Sequence, residues 1–200
     1  LEIENISLQF GGVKALDGVT YHINQGEIFS LIGPNGAGKT SMLNCISGLY
    51  QPTTGSIRYK GQEIINMKPY NRTTLGMARA FQNIALFAHM SVLDNLKLGR
   101  HSLMKAGIFS GGLYVGKASK EEIDHRQKVE EVIEFLDLQD IRHTPVGTLS
   151  YGLQKRVEVG RALALNPELI LLDEPMAGMN NAEKDMMARF ILDMHEVMGT

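Results

Sequence analysis

The stretch Gly33-Pro34-Asn35-Gly36-Ala37-Gly38-Lys39-Thr40 limits what this chain can be more than any other part of it. It matches the pattern G-x-x-x-x-G-K-[ST], and its flanks supply the context that the pattern requires. Ahead of it, Glu27-Ile28-Phe29-Ser30-Leu31-Ile32 reads as a short buried strand. Behind it, Thr40 to Leu49 sets Met42, Leu43, Ile46 and Leu49 at helical spacing. A strand, a glycine-rich turn and a helix in that order make a phosphate cradle. The glycines let backbone N–H groups turn inward around phosphate oxygens, and the helix N-terminus adds positive partial charge. Lys39 is then placed to reach terminal phosphates and the Thr40 hydroxyl to ligate Mg²⁺.

A phosphate-transfer site needs a second metal handle. Leu169-Ile170-Leu171-Leu172, bounded by Pro167 and Pro175, is a dense apolar run short enough to be a core strand, and it carries Asp173 and Glu174 out at its end. Asp173 is the candidate for the Mg²⁺ shell. Glu174 is the candidate base, since a carboxylate near a γ-phosphate can orient water and accept its proton. Any P-loop ATPase or kinase could share this much.

The rest of the chain sets bounds. Residues 1–32 alternate apolar and polar positions with turn signals at Gly11-Gly12, Asp17-Gly18 and Gln25-Gly26, which predicts antiparallel strands. Another strand is expected near Ser56–Tyr59. Residues from about Ser91 to Gly160 read as helical, interrupted by a glycine-rich stretch over Leu103 to Gly116 expected to be a mobile loop. A helix is expected over Val157–Leu165, and another over Asp185–Val197. The composition is that of a folded domain, 44% hydrophobic and 21% charged, with a net charge of -2 that gives no field to draw a polyanion. Nucleic acid is therefore not an expected partner. The single cysteine, Cys45, reads as a small buried residue on a helix and fits a reducing compartment. No run of about 18 apolar residues is present to span a membrane. None of the histidines at 22, 89, 101, 125, 143 and 195 forms a ligand-spaced pair.

Leu149-Ser150-Tyr151-Gly152-Leu153-Gln154-Lys155-Arg156 decides the subclass. It resembles the signature sequence of the ABC (ATP-binding cassette) ATPase family, commonly Leu-Ser-Gly-Gly-Gln. Phe10, the P-loop, Gln82, the Asp173-Glu174 pair and Ala177-Gly178-Met179-Asn180 match the family in order, so the likeness covers essentially the whole chain. The resemblance implies an α/β fold: a P-loop NTPase core with an antiparallel β subdomain and a helical signature subdomain. It implies ATP and Mg²⁺ as cofactors, and a second cassette, identical or not, meeting the first head to tail. Ser150 and Gly152, with Gln154 beside them, would face the nucleotide of that partner. Phe10 would stack on adenine, Ser41 would contact the α-phosphate, and Gln82 would touch Mg²⁺ and sense transmembrane permease subunits. Thr40, Gln82 and Asp173 would make up the metal set and Glu174 the catalytic base.

Tyr151 replaces the first signature glycine, Leu153 the usual Gln, and Asn180 a common Asp. Tyr151, Asn180 and an insert over Leu103–Lys120 resemble the branched-chain amino-acid importer branch. The expected function is thus the ATP-hydrolysing subunit of a membrane importer, held at the cytoplasmic face as a peripheral subunit. The competing readings are a soluble ABC ATPase acting on DNA or ribosomes, and a P-loop kinase or sensor that does not dimerise. The expected organisation is a nucleotide-binding core from 1–88 and 155–200, with a helical subdomain from 89–154. The family's switch His is expected beyond Thr200, so the C-terminal end reads as truncated; His195 lies too early to replace it.

Overall fold

Alternation in the first residues does build a sheet. In the computed structural model β1 (Glu2–Phe10) buries Ile3, Ile6 and Leu8 and pairs antiparallel with β2 (Val13–His22) and β3 (Thr54–Tyr59). The register slips between Ile3 and Ile6, where Asn5 adopts φ 53°, so the extra residue of a bulge keeps both isoleucines on the core face. Lys60-Gly61, both at positive φ, turn β3 into the short β4 (Gln62–Glu63), completing a sheet in the order β2-β1-β3-β4. The structure describes residues 1–82, 84–100 and 117–198, with side chains left aside for 117–121 and 197–198. Most of the Leu103–Lys120 insert, including the predicted loop at Leu103–Gly116, lies outside the described residues.

Two compact units emerge: Leu1–Met77 with Asp193–Thr200, and Ala78–Leu192. In the first, α1 (Lys39–Ser47) buries Met42, Cys45 and Ile46 and stops at Gly48 in the left-handed conformation. The orphan carbonyls at its end are taken by a buried cation. Arg72, from α2 (Pro69–Thr73), donates to the carbonyls of Cys45 at 2.8 Å and Ile46 at 2.7 Å, and to those of Met67 and Ile65. Cys45 is fully buried as expected, and burial pushes its thiol up to about 11.

One expectation fails in this unit. Residues 27–32 form no strand; they pair with no strand among the described residues, and Ile28, Phe29 and Ile32 are exposed, the last at 93%. An apolar run becomes a strand only where a neighbour supplies N–H and C=O partners. What forms instead is local. Both the backbone N–H and the side-chain amide of Asn24 donate to Glu27 Oε2, and the Phe29 ring stacks on Tyr21 at 4.9 Å.

The second unit holds a two-stranded sheet of β5 (Met77–Ala80) and β6 (Leu169–Leu172), with α3 (Val92–Arg100), α4 (Lys117–Phe135) and α5 (Tyr151–Leu163). α3 packs on α5 where Gly160 admits Leu96 and Leu136. Fully buried Asn95 organises the approach to α3: it accepts from Phe87 N and donates to the carbonyls of Phe87, Met90 and Ser91. The predicted Val157–Leu165 helix begins earlier, at Tyr151, because Ser150 caps it; the signature residues therefore form its first turn. α6 (Asn181–Met198) begins earlier than Asp185 for a similar reason given below.

A phosphate loop, an acidic strand end and a signature turn

Backbone geometry holds the glycine-rich loop. Gly38 stands at φ 86° ahead of α1, and a Cβ there would come within 2.5 Å of the Ala15 carbonyl. Only glycine lets the loop lie this close to β2. Pro34 O accepts from Ala37 N at 3.2 Å, closing a turn that leaves Pro34, Asn35, Gly36 and Ala37 exposed. Lys39 and Thr40 open the helix, with Ser41 next to them half-buried. The Lys39 ammonium folds over the loop and donates to Gly33 O at 2.7 Å and Pro34 O at 3.0 Å. A cation held against two loop carbonyls, at the amino end of a helix, is the arrangement an anion of several oxygens can take over. Phe10, in the same unit, ends β1 about half exposed; Tyr50 meets its ring edge-on at 5.1 Å.

The acids stand at the end of β6. Asp173 is 4% exposed and forms an ion pair at 3.0 Å with Arg79 of β5, itself 6% exposed. The Arg79 guanidinium also lies over the Phe81 ring, 4.9 Å from its centroid. Glu174, by contrast, is exposed, at φ 50°, a left-handed conformation rarely adopted by a side chain of this kind. Its Oε2 accepts from Gln82 Nε2 at 3.1 Å, so the structure brings together two residues that the sequence reading placed 92 positions apart. Gln82 and Asp173, both in the second unit, carry oxygen donors of the hard kind that Mg²⁺ prefers.

The signature turn is fixed by side chains. Ser150 Oγ accepts from Leu153 N at 3.4 Å, and Gln154 turns its amide back to Leu149 O at 2.9 Å. A Cβ at Gly152 would fall 2.2 Å from Glu183 Oε1, so a larger residue there displaces the end of that side chain. Glu183 and Asn180 exchange hydrogen bonds of 3.0 Å, each backbone N–H to the other's side chain, which closes a capping box at the start of α6. Tyr151 lies beside Gly178, and Arg156 reaches α6 through Met186 Sδ and the Phe190 ring. The signature turn thus rests on the loop that follows Glu174.

Sequence reasoning gave no part to Arg79, nor to Lys155 and Glu158, whose buried side chains pair at 3.1 Å on α5. A signal existed for Arg79, a lone charge in the otherwise apolar strand Met-Ala-Arg-Ala. Lys155 and Glu158 were readable only as an i,i+3 pair, a spacing usually found on solvated helix faces.

Comparison with known proteins places this arrangement. The family model for ABC transporters matches residues 16–177. The branched-chain amino acid transport ATP-binding protein BraF of Pseudomonas aeruginosa is 35% identical over 185 residues, covering 92% of this chain and 72% of that protein. LivG of Escherichia coli K12, of the same description, is 34% identical over 200 residues, all of this chain and 78% of its own. Among solved structures, a nucleotide-free ATP-binding cassette from an ABC transporter superposes with a TM-score of 0.83 at 34% identity, covering 98% of this chain and 76% of that one. A dimeric cassette in a post-hydrolysis state, bound to ADP and phosphate, gives 0.79 at 28% identity, with coverage of 99% and 84%. With its phosphate loop, signature turn and Asp-Glu strand end all in the family's order, the chain belongs to the ABC transporter family and is an ATP-binding cassette ATPase.

Proposed function

We propose that this cassette is the ATP-hydrolysing subunit of a membrane importer for branched-chain or related amino acids. The observation that carries the reading is the likeness, along nearly the whole chain, to cassettes described as branched-chain amino acid transport ATP-binding proteins. It favours the importer over a soluble ABC ATPase acting on DNA or ribosomes. The cassette would sit at the cytoplasmic face of the membrane, bound to transmembrane permease subunits; among the described residues no helix is long and apolar enough to cross a membrane. A second cassette, identical or not, would present Ser150, Gly152 and Gln154 to the nucleotide held here, and the reverse.

In this reading Gly33 to Thr40 cradle the phosphates of ATP, Lys39 leaving its loop carbonyls for the terminal phosphates, with Ser41 at the α-phosphate and Phe10 against adenine. Thr40, Asp173 and Gln82 would hold Mg²⁺, which neutralises charge on the phosphoryl oxygens when bound. Glu174 takes a proton from water as the water oxygen bonds to the γ-phosphorus and the bond to ADP breaks. The functional division 1–88 with 155–200, and 89–154, follows these motifs rather than the two compact units.

Reconstitution tests the proposal: the cassette joined to its permease subunits in lipid vesicles should hydrolyse ATP faster when leucine, isoleucine or valine is imported. Stimulation by DNA or ribosomes instead would sink it. Glu174→Gln should retain ATP affinity, lower turnover by about 10²–10⁴-fold, and accumulate an ATP-bound dimer visible by light scattering.

A further inference from the structure

The signature helix grips the loop of Gln82 through a buried ion pair. Lys155 lies one turn into α5, and its side chain and that of Glu158 are each 1% exposed, 3.1 Å apart. The remaining donors of the ammonium leave the helix: one goes to Phe81 O at 3.0 Å and another to Gln82 O. Glu158 Oε1 accepts from Ala85 N at 3.4 Å. Three backbone groups of residues 81–85 therefore end on a single helical turn. An ammonium has three donors, and all three are used here. Burying two charges costs desolvation free energy, and an apolar pair of similar volume often serves stability as well. An apolar pair would not fix the two carbonyls. Gln82 in turn donates to Glu174 Oε2 at 3.1 Å, so the path from α5 to that carboxylate has no gap.

Resting on the roles of Gln82 and Glu174 in the reading above, we propose that Lys155 is a positioning residue for hydrolysis. It ties the place of Gln82, and through it the Glu174 carboxylate, to the helix whose first turn carries Ser150 and Gly152.

The test compares four forms of the full chain: the parent, the paired variant Lys155→Met with Glu158→Gln, Gln82→Ala, and all three changes together. Removing both charges at once avoids stranding a buried carboxylate. The paired variant should lose turnover by about 10- to 100-fold, the range of a lost hydrogen bond to a charged group, while ATP affinity stays within about twofold. Gln82→Ala should lose a similar amount, and the triple variant no more than Gln82→Ala alone. Hydrogen exchange at Ala85 should quicken in the paired variant while the α5 amides stay protected. Losses that multiply in the triple variant, or unchanged turnover in the folded paired variant, would overturn the proposal while leaving the role of Gln82 standing. Unchanged turnover in Gln82→Ala removes the role of Gln82 and this proposal with it. Should the paired variant fail to fold, Lys155→Arg takes its place, with the same failure to multiply expected against Gln82→Ala and the same reversal if it multiplies.

Discussion

The phosphate loop and the acidic strand end do related work but are held by different means. In the first unit, Gly33 to Thr40 owe their shape to backbone: a left-handed Gly38 against the Ala15 carbonyl, a turn at Pro34, and a helix stopped by Gly48. Even the buried cation of that unit, Arg72, is spent on main-chain carbonyls. In the second unit side chains hold side chains: Arg79 on Asp173, Lys155 on Glu158, Gln82 on Glu174. A backbone device leaves a fixed spacing of glycines behind it, whereas pairs such as Arg79 with Asp173 and Gln82 with Glu174 leave only two residues far apart in the chain.

Breaking the side-chain kind should cost the most. Arg79→Met leaves Asp173 buried without its ion pair, and an expected loss of about 3–5 kcal/mol in denaturant unfolding follows. Adding Asp173→Leu should return most of it, and a double variant as unstable as the single would show that Arg79 packs rather than pairs. Lys39→Ala, which breaks the phosphate loop's one charged contact, is expected to cut turnover by about 10²–10³ and to weaken ATP binding, measured by titration, without lowering the unfolding midpoint. Near-normal hydrolysis would remove the loop from the site.

Within the loop the contrast can be sharpened further. Gly38→Ala faces both a positive φ and a carbonyl at 2.5 Å and should lose about 2–3 kcal/mol of stability, whereas Gly36→Ala, at φ 84° with open space around it, should lose about 1. Equal losses by thermal unfolding would mean that the Ala15 contact yields easily. The smallest effect concerns Cys45. Burial raises its thiol to about 11, so the neutral form is favoured in the fold, and that contribution is complete below the ordinary thiol pKa and fades as pH climbs through 11. Iodoacetamide at pH 8 should therefore label the native chain far more slowly than the unfolded one; equal rates would place the thiol at the surface.

The same contrast decides what could be read beforehand. The antiparallel strands, α1 and the β6 run were legible because alternation and helical spacing are local. The cassette family came from the resemblance that the signature and its companion motifs carry. Residues 27–32 misled because an apolar run states a preference for burial and says nothing of whether a ladder partner stands beside it. Helix starts at Tyr151 and Asn181 were placed late because their caps, Ser150 and the Asn180-Glu183 box, lie outside the apolar periodicity. The hydrogen bond between Gln82 and Glu174, and the cations Arg79 and Lys155 near them, were not legible, since neither spacing nor composition says which distant side chains meet.

The close approach of Glu183 to Gly152 has a consequence for how such sequences can drift. A methyl group at 152 meets the end of the Glu183 side chain, which has to swing aside and loosen its hydrogen bond from Asn180 N. The cost of a larger residue at 152 is therefore set at 183: Gln there can still accept from Asn180 N, whereas Ala frees the space and gives up the cap. A library randomised at 152 and 183 together should recover residues at 152 that a library randomised at 152 alone recovers less often.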